Sequence, residues 1–215
     1  MKYTHVLFDH DGVLVDTEHL YFRATSETLG SVGLDLDLRA YLKLQAVGGN
    51  AWQRMMTAGY DEVEVAHKRL ERDQLYQHYI RTEKIDIDDV GVVLESLYTR
   101  FGLAIVTTAK QCDFDLIHKD RKIVQYMDLV LTNRDYMRSK PAPDPYLKAL
   151  DHFGITPQQA LVVEDSERGL KSAVAAGIDC AVVYHPFTAP QDFSQATYRI
   201  DKLSGLLDIL NTEKH

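Results

Sequence analysis

Val6-Leu7-Phe8-Asp9-His10-Asp11-Gly12 begins with three consecutive apolar side chains and stops abruptly at a pair of carboxylates. A short apolar run bounded by turn residues reads as a buried strand, so this first strand delivers polar groups at its carboxyl end. The form recurs downstream: Leu103 to Val106 precedes Thr107-Thr108, Asp128 to Leu131 precedes Thr132-Asn133, and Leu161 to Val163 precedes Glu164-Asp165. Cys180 to Tyr184 makes a fifth run, and helical spacing lies between the runs, as in Leu94, Leu97 and Phe101 or Leu147, Leu150 and Phe153. Buried strands alternating with helices of that length predict an α/β fold with a doubly wound parallel sheet.

Residues 17–88 break the rhythm. They carry only helical spacing, for example Leu20, Ala24 and Leu29, then Val63, Ala66 and Leu70. The expectation is a helical cap inserted after the first strand, with 1–16 and 89–215 forming the sheet-bearing core and boundaries good to about two to four residues.

Composition narrows the class. A chain of 215 residues with 45% hydrophobic and 26% charged residues is ordinary for a globular protein, which excludes disorder and collagen-like structure. The formal charge of -8 disfavours nucleic acid and anionic membrane as partners. Cys112 and Cys180 form no C-x-x-C pair, so neither a disulfide framework nor a zinc knuckle is suggested. With no run long enough to span a bilayer, the expected location is the cytoplasm; oligomeric state is left open.

Ligands of open α/β sheets bind outside the carboxyl ends of the strands, and that edge gathers Asp9, Asp11, Thr107, Glu164 and Asp165. If the backbone stays extended, a period of two puts Asp9 and Asp11 on one side and turns His10 away. Crowded carboxylates repel unless a cation is present, and an all-oxygen set suits a hard ion such as Mg²⁺. Any one of these acids alone would read as a helix cap or a solvated loop end; their combination points to a metal site. Lys140 sits in Ser139-Lys140-Pro141-Ala142-Pro143-Asp144-Pro145, where the prolines stiffen the backbone. Asp144 reads as N-cap of a helix opened by Pro145.

These residues carry a resemblance. Phe8 to Glu18, Val106-Thr107-Thr108, Lys140 to Pro145, and Val163-Glu164-Asp165-Ser166 through Gly169 resemble the four ordered motifs of the haloacid dehalogenase superfamily, in its β-phosphoglucomutase-like phosphatase branch. The resemblance implies a Rossmann-like core and a Mg²⁺-dependent phosphatase acting on a small phosphorylated metabolite. It further implies Asp9 as the nucleophile that forms an aspartyl-phosphate, and Asp11 as acid and then base. Mg²⁺ would be held by Asp9, the main chain of Asp11, Asp165 and Glu164, and the phosphate by Thr107, Thr108 and Lys140.

Three positions depart from the family pattern. His10 stands where an apolar residue is usual and is read as packed within the sheet. Thr108 and Ala109 follow Thr107 where Asn or Ser is commoner first, and Ser139 replaces a Gly before Lys140; both changes are mild. In the insertion, Gly48-Gly49-Asn50-Ala51-Trp52-Gln53 reads as a loop entering a helix with Asn50 as N-cap and Gln53 at capping-box spacing. Gly49, Asn50, Trp52 and Tyr21 are the substrate-binding candidates there, with Lys43 and Arg54 behind them; Trp52 as cap core is the competing reading. Mutases of this branch carry a His where this chain has Tyr21 and an Arg where it has Ala51 or Trp52, so hydrolysis ranks above sugar-phosphate isomerisation. A phosphonate hydrolase using Lys43 and a metal-free dehalogenase both fit less well. From another class, a phospho-Asp receiver domain shares the acids and lysine but lacks the cap and the second Asp.

Overall fold

The computed structural model describes residues 2–212. Six strands form one sheet: β1 (His5–Phe8), β2 (Gly102–Val106), β3 (Leu129–Leu131), β4 (Ala160–Glu164), β5 (Asp179–Val183) and β6 (Tyr198–Ile200). They are all parallel, in the order β3-β2-β1-β4-β5-β6. The chain winds outward from β1 to β3, then returns to lay β4 against the other side of β1. That reversal at β1 and β4 is where a doubly wound sheet opens a crevice at its carboxyl edge.

The apolar runs follow from burial on both faces. Val6, Phe8, Leu103, Ile105, Leu161 and Val163 face one core, with Val93, Leu94 and Leu97 from helix α5 (Val90–Leu97). Leu7, Ala104, Val106 and Val162 face the other core, with Tyr146, Ala149 and Leu150 from α7 (Asp144–Phe153) and Leu170 and Ala173 from α8 (Glu167–Ala175). The sixth strand was not anticipated: Tyr-Arg-Ile is short, lies at the sheet edge and is only partly buried, so it has no apolar run to betray it.

Between β1 and α5 lie four helices, α1 (Glu18–Gly30), α2 (Leu38–Ala46), α3 (Gln53–Thr57) and α4 (Glu62–Thr82), which make the helical cap. Asp61 and Glu64 form a reciprocal capping box at the start of α4, and the Asp37 carboxylate caps α2 through the Ala40 N–H at 2.8 Å. Leu20 and Ala24 of α1 pack against Tyr76 and Ile80 of α4, and Ile117 from α6 (Gln111–His118) joins the same cluster. The cap is thus seated on the core by apolar contact.

Two local readings need correction. Asp144 is the first residue of α7, whose N-cap position is Pro143; its carboxylate pairs with Arg138 at 2.8 Å instead. Asn50 does not cap α3, because a turn closed by Gln53 N–H onto the Asn50 carbonyl intervenes and the cap position falls to Trp52.

Candidate active site

The ladder runs one residue past β1, since the Asp9 N–H donates to the Val163 carbonyl at 2.8 Å. Asp9 is thereby fixed at the crevice between β1 and β4. The chain then turns sharply: the N–H groups of Leu14 and Val15 both donate to the His10 carbonyl, at 2.9 and 3.1 Å. Gly12 adopts φ 80°, and a Cβ there would collide with the Asp165 carboxylate. Only glycine permits that close approach.

Lys140 is buried, with Nζ 2.7 Å from Asp9 Oδ1 and 2.6 Å from Glu164 Oε1. Glu164, fully buried at the end of β4, also accepts from Tyr146 OH at 2.8 Å and Ser166 Oγ at 3.0 Å, with longer bonds from the N–H groups of Asp165 and Ser166. With both oxygens so engaged, Glu164 chiefly anchors Lys140. One carboxylate oxygen each from Asp9, Glu164 and Asp165 lies within 4.8 Å of the others.

Three carboxylates against one ammonium leave two uncompensated negative charges in a desolvated pocket. Burial, then the Glu164 charge, push Asp9 up to about 7 despite Lys140. Burial, then Glu164 and Asp9, raise Asp165 well above the carboxylate range. An all-oxygen donor set short of two positive charges fits a hard divalent cation. A folded-state pKa raised above the unfolded value means that stability falls as pH climbs toward that raised value. With a chelator present, the parent's melting temperature relative to that of Asp9→Asn is therefore expected to fall as pH climbs from about 4.5 to about 7, the value to which Asp9 is raised; the comparison cancels His118, which burial and His10 lower to about 3. Millimolar Mg²⁺ should flatten that slope; a flat profile in chelator would contradict the charge balance.

Asp11 stands beside this cluster rather than in it. Its carboxylate accepts from Thr17 Oγ1, from Thr107 Oγ1 at 3.4 Å, and lies 3.2 Å from His10 Nδ1. Burial pushes the Asp11 carboxyl up, but His10, Thr17 and Arg168 outweigh it and hold it below its usual range. Thr107 is pinned by Tyr136, whose hydroxyl donates to its carbonyl at 2.7 Å, while its own Oγ1 accepts from the Ala109 N–H at 3.0 Å.

A cavity of about 210 Å³ lies between core and cap, lined among others by Asp11, Tyr21, Tyr41, Gln45, Thr108 and Arg168; Asp9, Glu164 and Asp165 do not line it. Of the four cap candidates, only Tyr21 lines it. The Gly49 N–H donates back to the Leu44 carbonyl at 2.7 Å, Asn50 lines a separate groove, and Trp52 is buried in the cap's second core with Leu42, Met55 and Val65. The bulk of the indole explains this: it fills the space between short helices rather than facing solvent. Lys43 and Arg54 line surface grooves elsewhere.

A family model described as haloacid dehalogenase-like hydrolase matches residues 6–183. The chain belongs to that family. Among proteins similar to this haloacid dehalogenase-like hydrolase, Protein CbbY of Rhodobacter capsulatus is 29% identical over 221 residues, covering 95% of this chain and 96% of that one. Fructose-1-phosphate phosphatase YqaB of Escherichia coli (strain K12) is 28% identical over 193 residues, covering 85% and 97%. Among solved structures, a β-phosphoglucomutase from Clostridium difficile aligns with TM-score 0.81 over 98% of this chain and 96% of that one, at 18% identity. That last likeness is one of fold.

Sequence reasoning missed several residues that this hydrolase brings to the cavity. Arg168 donates to Gln45 Oε1 of the cap at 2.8 Å and to Thr108 Oγ1 at 3.2 Å, and Tyr41 OH donates to Glu18 Oε1 at 3.0 Å. The available signal for Arg168 was its position, a cation in the first turn of the helix that follows Glu164-Asp165. Tyr41 and Gln45 share a face of α2 at i, i+4 spacing, but only tertiary packing shows which way that face points.

Proposed function

We propose that the chain is a Mg²⁺-dependent phosphatase that hydrolyses small phosphomonoesters through an aspartyl-phosphate on Asp9. The observation that carries the reading is the buried Asp9 carboxylate, held by Lys140 at 2.7 Å and two residues before Asp11, which lines the cavity between core and cap. A nucleophile and an acid–base group two residues apart at one strand end supply both halves of a double displacement.

In the first half, an Asp9 oxygen bonds to phosphorus and the ester P–O bond breaks, its electron pair leaving with the alkoxide, which takes a proton from Asp11; Asp11, ionised in the free enzyme, is protonated in the substrate complex, where the incoming phosphate's negative charge favours the neutral acid. In the second, water attacks the aspartyl-phosphate, gives its proton to Asp11 and releases Asp9. Lys140 and the Thr107-Thr108 segment hold the oxygens on which charge accumulates. Asp9, Asp165 and the main chain of Asp11 would hold Mg²⁺, with Glu164 as the adjoining anion that anchors Lys140; the ion screens incoming phosphate from the nucleophile's charge.

The cavity is smaller than the ~300–1,000 Å³ typical of drug-sized pockets, which suits a small metabolite. Its mixed donors and acceptors, Arg168, Gln45, Glu18 and Tyr41, suit a hydroxyl-rich leaving group, and sugar phosphates are what the names of YqaB and of a Thermotoga maritima phosphorylated carbohydrates phosphatase specify. Tyr21 at the cavity and Trp52 in the cap core leave no cap His–Arg pair at those positions, which favours hydrolysis over isomerisation. A receiver domain fits neither the family nor the cap. No helix among the described residues is long and apolar enough to cross a membrane, in keeping with work on cytoplasmic metabolites.

The test is a screen of phosphorylated metabolites with Mg²⁺, reading released phosphate. Steady release that chelation abolishes is the expected result. Conversion without phosphate loss, or one stable phosphoryl group per chain, would overturn the assignment.

A further inference from the structure

We infer that His10, held in place by His118, is a positioning residue for the Asp11 carboxylate, an inference that rests on the phosphatase reading above. The expectation that His10 turns away from the acids assumed an extended backbone. The turn closed on its carbonyl breaks that alternation and lays the ring, fully buried, beside Asp11 with Nδ1 3.2 Å from Oδ2. On its far side, His10 Nε2 lies 2.9 Å from Nε2 of His118, the last residue of α6.

The proton arrangement follows from donor counting. An ionised carboxylate only accepts, so the proton facing Asp11 sits on His10 Nδ1. A neutral His10 then has a bare Nε2, which accepts from His118 Nε2–H. The chain of contacts ends there, because His118 Nδ1 is buried with no hydrogen-bond partner among the described residues. Among the described residues the His118 side chain thus has one hydrogen bond, to His10, and that bond fixes both the tautomer and the plane of the ring that addresses Asp11.

Packing alone does not account for the pair. The two rings and Phe114 pack at tilted angles, centroids 4.4 to 5.2 Å apart, in a setting where an apolar side chain would bury without the desolvation cost of two imidazoles. What an apolar residue cannot do is direct a donor at Asp11 Oδ2. Thr17 engages the other oxygen, so the carboxylate is gripped at both ends, and an acid–base group gains rate from such fixed orientation.

The test separates the two half-reactions in the full-length enzyme. p-Nitrophenyl phosphate has a leaving group that departs without a proton, so rapid-quench single turnovers measure transfer to Asp9, while alkyl phosphate turnover and phosphoenzyme hydrolysis need Asp11. His10→Leu is expected to lower alkyl phosphate kcat about tenfold with KM within about twofold, while leaving the first p-nitrophenyl transfer within about twofold. His10→Asn, which keeps an N–H donor near Nδ1, should recover most of the loss. His118→Phe should lower kcat about threefold with the same pattern, and it carries the test should His10→Leu fail to fold. An equal fall in both half-reactions, an Asn variant no better than Leu, or unchanged kcat would overturn the inference. A parent enzyme that forms no phosphoenzyme takes the phosphatase reading and this inference down together; a normal parent with unaffected variants overturns the inference alone.

Discussion

Asp9→Asn is expected to lower phosphomonoester turnover by at least about 10²-fold while leaving the fold intact, because the amide cannot act as the nucleophile. The substitution is nearly isosteric and removes one of three crowded negative charges, so the variant should melt no lower than the parent in chelator. Asp11→Asn is also expected to cost at least about 10²-fold, but with a different signature: transfer from p-nitrophenyl phosphate should persist and phosphoenzyme should accumulate. Rapid-quench trapping of the phosphoryl group distinguishes them. Near-normal turnover by Asp9→Asn would mean that phosphate meets another nucleophile.

Gly169→Ala carries the largest expected effect on stability. Glycine to alanine inside a helix ordinarily gains up to about 1 kcal/mol, yet a Cβ at Gly169 would collide with the Glu164 carboxylate. Glu164 cannot swing aside cheaply, because Lys140, Tyr146 and Ser166 all donate to it and its displacement leaves Lys140 with one partner fewer in a buried site. Disrupting a buried ion-pair network costs about 3–5 kcal/mol, which for a chain of this size is a fall in melting temperature of roughly 6–20 °C. Gly91→Ala in α5 is the control: nothing lies within 4 Å of its added Cβ, so it should be neutral or slightly stabilising. Equal melting of the two variants would refute the crowding at Gly169.

The catalytic core was legible because its chemistry sits where simple periodicities end. Strands buried on both faces must be apolar throughout, so Val6 to Phe8 and Leu161 to Val163 announce themselves, and whatever follows them lies at the carboxyl edge. Asp9, Thr107 and Glu164 are found by that rule alone. His10 was misread because a period of two holds only while the backbone remains extended, and the hydrogen bonds onto its own carbonyl end that regime. The cap resisted for another reason. Its helices show one apolar face each, but how α2 meets α8 decides that Gln45 and Tyr41 face the cavity between core and cap while Trp52 faces inward, and local spacing contains no record of that meeting.

The central place of β1 has a consequence for how the enzyme loses activity. Its amides are bonded into a ladder with β2 on one side and β4 on the other, and Val6, Leu7 and Phe8 are sealed from solvent. Hydrogen exchange there can proceed only when the molecule opens as a whole. The Asp9 carboxylate is tethered one residue beyond this segment, so, if Asp9 is the nucleophile as proposed, thermal inactivation should coincide with global melting rather than precede it through fraying of the cap.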